Sequence, residues 1–299
     1  MSAGFESMTA ANTQPAAKLC AVLACHNRKA KTLHALSALY ESAGEASVEL
    51  QVILVDDASH DGTPEAVRDR FPAVEILPGT GDLFWNQAMR RGIARALQSP
   101  PDFLLLLNDD TFLDRPAVQR LVTGAQANPE AILVGTVRDP DTGEYTYGGR
   151  RRYDRFNPLL FELVAPDPET FLPCDTFNGN CVLVPCTVLE HIGNLAPEFR
   201  HTKGDTDYGL RARAAGFEVL VAPGTYGTCR REKTVESRKK PRGLRDLYDF
   251  ATHPKRQPLR ERFVFQRRHG NRLWWLFALA PYLTWIKRRF RRNQPFRAD

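Results

Sequence analysis

No CxxC pair and no zinc-like spacing connects the six cysteines, Cys20, Cys25, Cys174, Cys181, Cys186 and Cys229, and a chain of 299 residues is too long to need disulfide staples. Zinc ribbons and disulfide scaffolds are thereby excluded, and reduced thiols in a cytosolic setting are expected. There is no GxxxxGK[ST] phosphate loop, and "GTGD" at Gly79 is not a GxGxxG fingerprint, so ATPase and dehydrogenase readings are poor. Residues 1–17, rich in Ala, Ser and Thr, have neither the basic start nor the long apolar run of a signal peptide and read as a loose, disordered leader. The apolar run "LWWLFALAPYLTWI", Leu273 to Ile286, is shorter than the roughly 20 residues that span a bilayer.

What is present is globular: 42% apolar residues can bury one large core or two modest ones. The net charge of +6 hides an asymmetry. Residues 1–229 carry 20 Lys and Arg against 29 Asp and Glu, a net of −9, and residues 230–299 carry 21 against 6, a net of +15. Two regions with different partners are expected, 18–229 and a basic, helical 230–299.

The acidic region alternates apolar runs with amphipathic stretches. "KLCAVLAC", "LQVILVD", "AVEIL", "DFLLLLN" and "AILVGTV" read as strands; the segments between them, among them "FWNQAMRRGIARAL" and "RPAVQRLVTGAQ", read as helices. Near-continuous apolar strands separated by helices predict an α/β fold with a mainly parallel sheet. Ligands gather at the carboxyl ends of such strands. Three of these ends are polar: Cys25-His26-Asn27-Arg28, Asp56-Asp57 and Asn108-Asp109-Asp110. Carboxylates there are the hard oxygen donors that Mg²⁺ or Mn²⁺ prefers, with open positions left for a diphosphate. Equally, Asp and Asn at such points terminate strands and cap helices.

Taken in order, "LACHNR", "LVDDASHDGT", "GDLFWNQAMRRG", "LLLLNDDTFLD", "TFNGNCVLVP" and "GDTDYGLRARAAGF" resemble the motifs of family 2 glycosyltransferases, inverting enzymes with the GT-A fold, a Rossmann-like nucleotide-binding sheet flanked by helices. The resemblance covers about residues 18–225. "GDLFWNQA" and "NDD" are similar to the bacterial rhamnosyltransferase branch. The resemblance implies a nucleotide-diphosphate sugar as donor, dTDP-rhamnose or a UDP-sugar, held by Cys25, Asn27, Asp56 and Asp57 around base and ribose, with Asp56 the preferred base contact. It implies Asp110 as ligand of Mg²⁺ or Mn²⁺, Asn108 and Asp109 on the sugar and ribose side, and Trp85 with Asn86 over the donor sugar.

Asn178 and Gly179 would shape the acceptor pocket, Asp205 would be the general base, and Asp207 and Arg211 would contact the acceptor. Asp205 and Asp207 also suit simple capping of the helix they open. The sequence departs from the family at three points: Asn108 replaces a more familiar aspartate, Gly204 a glutamate, and the histidine that many relatives carry after the strand "FEVLVAP" is missing.

The basic region mixes arginines with Trp, Phe and Leu, as does a helix lying on anionic lipid; the alternative is packing on the catalytic domain. Sugar transfer to a lipid-linked or polysaccharide acceptor in cell-surface glycan synthesis, at the inner face of the cell membrane, is the expected function. An inactive nucleotide-sugar-binding protein and a nucleic-acid-binding protein using the basic tail are the alternatives.

Overall fold

The computed structural model describes residues 16–231, 244–256 and 258–290. Most of the expected leader lies outside these residues, and the first strand begins at Ala17.

In chain order the elements are β1 (Ala17–Cys25), α1 (Lys29–Gly44), β2 (Val48–Asp56), α2 (Thr63–Arg70), β3 (Glu75–Pro78), α3 (Phe84–Ala96), β4 (Phe103–Leu107), β5 (Phe112–Leu113), α4 (Ala117–Ala127) and β6 (Ala131–Arg138). There follow β7 (Tyr145–Tyr147), β8 (Gly149–Arg152), β9 (Phe161–Leu163), β10 (Leu172–Pro173), β11 (Thr176–Phe177), β12 (Cys181–Pro185), α5 (Cys186–Ile192), α6 (Gly204–Ala214), β13 (Glu218–Thr228), α7 (Leu244–Thr252), α8 (Leu259–His269) and α9 (Trp274–Phe290).

The main sheet runs β10-β13-β6-β12-β4-β1-β2-β3, with β5 and β7 appended to β13 and β6. β3, β2, β1 and β4 are parallel, and β12 runs antiparallel between β4 and β6. The four leucines before Asn108 lie in β4, between β1 and β12, and are buried on both faces. Their alternation splits the core. Leu105 and Leu107 join Leu19, Leu23, Leu36, Leu39 and Leu121 on the side of α1 and α4, whereas Leu104 and Leu106 join Val22, Met89, Ile93 and Tyr208 on the side of α3 and α6.

From β1 the chain builds outward through β2 to β3, then returns to the other side of β1 as β4. Connections diverge between β1 and β4, and their carboxyl ends open a crevice there. A second small antiparallel sheet, β11-β8-β9, stands beside that crevice. Among the described residues four non-glycine ones have left-handed backbone, Asn27, Ala58, Lys203 and Phe84, the last opening α3, and they cluster around the crevice. Such conformations cost about 1–3 kcal/mol each and persist where the surrounding structure enforces them, often at functional sites.

The basic carboxyl region folds back on the acidic one. Phe265 of α8 packs with Ala196, Phe199 and Leu210, and Arg262 donates to the carbonyls of Phe277 and Ala278 in α9. Several of its cations are therefore internal. Among the described residues no helix is long and apolar enough to cross a membrane.

Candidate functional site

At the end of β1 the Cys25 thiol donates to Asp56 Oδ1 at 3.3 Å, and Asp56 Oδ2 accepts from the Ser59 N–H at 3.1 Å. Burial and the adjacent Asp56 charge push the Cys25 thiol far up, so it stays protonated. Asn27 donates its N–H to Ser59 Oγ and accepts the His60 N–H on Oδ1, joining the β1 and β2 loops. Asp57 accepts the N–H groups of Gly81 at 2.7 Å and Phe84 at 3.1 Å. Its carboxylate thus anchors residues 79–84 beside the end of β2.

The acidic pair after β4 is already in cationic company. Arg28 Nη1 bridges Asp109 Oδ1 at 2.9 Å and Asp110 Oδ2 at 3.0 Å, and Lys31 Nζ lies 3.9 Å from the same Asp110 oxygen. Burial raises the Asp109 carboxyl to about 6, with Arg28 opposing and Asp110 adding to the rise. Cys229, just past β13, approaches Asp110 Oδ1 with its sulfur at 3.6 Å. Among the described residues no three His, Cys, Asp or Glu side chains gather as a metal cage. One accessible carboxylate suits a hard cation shared with a diphosphate and water, the usual arrangement for Mg²⁺ at phosphates.

Beyond Asn108 a cavity of about 490 Å³ opens, lined by Trp85, Asn108, Asn178, Gly179 and Asp205 among others. Its size suits a small ligand. Trp85 Nε1 donates to Asn108 Oδ1 at 2.6 Å, so asparagine here orients the indole. The Trp85 ring lies across Gly179, where a Cβ would stand 2.6 Å from it; only glycine admits this stacking.

The Gly179 N–H in turn donates to Asp205 Oδ2 at 3.1 Å, and the Thr206 N–H to Oδ1 at 2.7 Å. Burial pushes the Asp205 carboxyl above the ordinary aspartate range, against the pull of these two N–H groups and the Arg150 charge. Oδ1 also accepts the Thr206 hydroxyl at 3.3 Å, whereas Oδ2 keeps a lone pair for a further hydrogen bond.

Three expected contacts point elsewhere. Asn86 is fully buried and ties the carbonyls of Ala196 and Phe199 to α3. Its Oδ1 lies where a Cβ on Gly204 would be, which is why glycine, and not the family's more common glutamate, precedes Asp205. Asp207 is sealed beneath α8, accepting from Arg211 at 2.8 Å and Arg268 at 2.7 Å and paired with His269 at 2.8 Å. Arg211 also donates to the carbonyls of Ile192 and Asn194. Neither Asp207 nor Arg211 lines the cavity; both fasten α6 to its neighbours.

The sequence profile of Glycosyl transferase family 2 matches residues 20–192, more than half of the chain. The chain belongs to that family. An N-acetylglucosaminyl-diphospho-decaprenol L-rhamnosyltransferase of Mycobacterium tuberculosis, in strains CDC 1551 and H37Rv, is 25% identical over 198 residues, 58% of this chain and 64% of that protein. The match thus spans less than two thirds of the relative's length.

Among solved structures, the mannosyltransferase PcManGT from Pyrobaculum calidifontis, in complex with GDP-Man and Mn²⁺, superposes with a TM-score of 0.52 at 16% identity, covering 90% of this chain and 68% of that one. S. aureus TarS 1–349, in complex with UDP, gives 0.52 at 12% identity over 71% of this chain and 60% of that one. At these identities the likeness is one of fold: the mixed, mainly parallel GT-A sheet flanked by helices.

The family match ends before α6, so the place of Asp205 in this glycosyltransferase rests on geometry. The cavity also contains groups that the sequence did not single out: Arg150 from β8, Phe161 from β9, Lys203 and His201 ahead of α6, and Phe265 from α8. His201 takes the Trp85 N–H on Nδ1 at 3.5 Å, and burial lowers its pKa to about 4, so it is neutral. Spacing along the chain holds no sign of these residues, which come from four separate segments.

Proposed function

We propose that this family 2 glycosyltransferase moves a sugar, rhamnose from dTDP-rhamnose or the sugar of a UDP donor, to a hydroxyl of a lipid-linked glycan with inversion at the anomeric carbon. The observation that carries the reading is Asp205: a buried carboxylate with raised proton affinity, in a cavity beside the nucleotide crevice, on the same wall as Trp85 and Gly179. In the reaction the acceptor oxygen forms a bond to C1, the bond from C1 to the diphosphate oxygen breaks, and the acceptor proton passes to Asp205. Attack opposite the leaving group inverts C1.

Trp85, held by Asn108, walls the sugar, and Asp56 faces the base. Asp110 would hold Mg²⁺ or Mn²⁺ together with the donor's diphosphate, where the ion would offset charge on the leaving group. Arg28 and Lys31 supply positive charge at the same rim. The name of the mycobacterial relative supports both the rhamnosyl donor and a lipid diphosphate acceptor.

Titrating dTDP- and UDP-sugars with and without Mg²⁺, followed by NMR of the transferred sugar, tests the reading. Transfer with an inverted anomeric centre is expected. Retention of configuration, or no transfer from any nucleotide sugar, would overturn it. In the same titration Asp110→Asn should lose the Mg²⁺-dependent part of donor affinity and melt near wild type, since Arg28 keeps Asp109 as a partner. Undiminished Mg²⁺ dependence would remove Asp110 as the ligand.

A lipid-linked acceptor also fits an outer face that suits a bilayer. Leu273, Trp275, Leu276, Leu279, Leu283 and Ile286 are exposed along and just before α9, with Arg272 and Lys287 exposed at its two ends. Asn271 donates to the Phe156 carbonyl at 2.7 Å, adding the 81% exposed Phe156 to the same region. Apolar side chains flanked by cations bind anionic interfaces. Because α8 is bound to Asp207, truncation would disturb the fold, and substitutions on α9 give the cleaner test. Trp275→Ser combined with Leu279→Ser and Leu283→Ser should weaken cosedimentation with phosphatidylglycerol vesicles by roughly tenfold or more. Wild-type binding should fall as salt rises. Equal binding by variant and wild type would refute the membrane face.

A further inference from the structure

We infer that Arg150 and Lys203 form an anion subsite that holds the acceptor's phosphate beside Asp205; the inference rests on the transferase reading of Asp205. Both side chains line the cavity that contains Asp205, and among the described residues neither lies within ion-pair distance of a carboxylate. Arg150 commits one N–H, from Nη2 to the Phe161 carbonyl at 3.3 Å, and stacks its guanidinium over the Phe161 ring at 5.4 Å. Its remaining donors are available. The Lys203 ammonium makes no hydrogen bond to protein; it stands over the Phe265 ring at 4.6 Å.

Two half-buried, mutually repelling cations share the Asp205 charge here, so a further anion between them would be favoured. Burial, with Arg262 and Arg150 adding their repulsion, lowers the Lys203 pKa to about 8 against the opposing charges of Asp205 and Glu261. Lys203 also adopts φ +70, a conformation unfavourable to a long side chain, immediately before the helix that presents Asp205. A neutral saccharide would gain little from such a pair.

The donor's diphosphate has its own cations. Arg28 and Lys31 sit with Asp110 at the ends of β1 and β4, and none of the three lines the cavity of Arg150 and Lys203. Leu159, Phe161 and Phe265 form an apolar part of the cavity wall beside these cations. Cations next to an apolar wall match a sugar joined through phosphate to a prenyl chain: hydroxyl at Asp205, phosphate on Arg150 and Lys203, the first carbons of the lipid along Leu159 and Phe161.

Two acceptors of the same sugar distinguish the cases, a short prenyl diphosphate-linked N-acetylglucosamine and its phosphate-free alkyl glycoside. Wild type should prefer the first. Arg150→Gln and Lys203→Gln should each raise its KM by about 10- to 100-fold, the scale of a charge-assisted hydrogen bond. KM for the alkyl glycoside and nucleotide-sugar affinity should stay unchanged, and Lys203→Arg should recover part of the loss.

Weakened nucleotide-sugar binding in the variants would assign the cations to the donor and overturn the inference, as would equal losses on both acceptors. If wild type transfers to neither acceptor, the transferase reading itself fails. Pyrophosphate binding followed by NMR then gives a separate readout: a site lost in Arg150→Gln would support the anion subsite, and a site unchanged by both variants would overturn it.

Discussion

Asp205→Asn should lower kcat by ~10² to 10⁴-fold with little change in donor affinity, the pattern of a group acting mainly in the transition state. Asparagine keeps the size of the side chain, and its single oxygen can still accept one of the Gly179 and Thr206 N–H groups, but it cannot take a proton. Stability should change little, because the gain from removing a buried charge is opposed by the one N–H that then meets the amide NH2. A carboxyl whose folded pKa is raised holds its proton to higher pH than the unfolded chain does, so it withdraws stability as pH climbs through that value. Removing the charge at neutral pH therefore offsets the lost N–H bond and leaves the melting temperature near that of wild type.

The same shift sets the acid limb of the rate profile. The base must be ionised, so kcat should fall as pH drops, with a midpoint above the ordinary aspartate value of about 3.9. Near wild-type turnover by Asp205→Asn, with the melting temperature unchanged, would place the base elsewhere.

Asp207→Ala should do the opposite: destabilise strongly, with a smaller loss of turnover at a temperature where the variant is folded. Its carboxylate has no solvent exposure and holds Arg211, Arg268 and His269, joining α6 to α8. Breaking a buried pair by removing one partner costs roughly 3–5 kcal/mol, and about 2–3 kcal/mol is the better figure here because Arg211 and Arg268 are partly exposed.

Burial opposes the charge on Asp207, but hydrogen bonds from His269, Arg268 and Arg211 hold its pKa below the ordinary range. A depressed carboxylate contributes stability that is present above the unfolded pKa and lost as pH falls through the folded one. The difference in unfolding free energy between wild type and Asp207→Ala should therefore shrink below about pH 4. Urea titrations at pH 7 and pH 3 measure it. A constant difference across that interval would show that the charge on Asp207 is not what holds α8.

These opposite fates belong to residues two positions apart. Successive helical residues turn by about 100°, so positions 205 and 207 face nearly opposite sides of α6. "GDTDYG" presents two equivalent aspartates; only the placement of α8 decides which one is solvated by substrate and which is locked in an ion-pair cluster. The charge step at residue 229 is similar. Net charge sums over side chains wherever they point, and so it marked a basic region without showing that Arg262 and Arg268 bind back into the protein.

The sequence by itself determined the sheet and its polar rim. Four leucines in a row suit a strand covered by helices on both faces, and polar residues at the ends of such strands converge on one edge, so Asp56, Asp109 and Asp110 were legible from local pattern. Tertiary structure alone decided what each polar atom does there: Asp57 anchoring a loop, Asn86 filling the space that Gly204 leaves open, and Arg150 meeting Lys203 from 53 positions away through β8 and the turn into α6. The physical reason is range. Hydrophobic periodicity is written into neighbours along the chain, whereas the pairing and desolvation of charges depend on which distant segments the folded chain brings within a few ångströms.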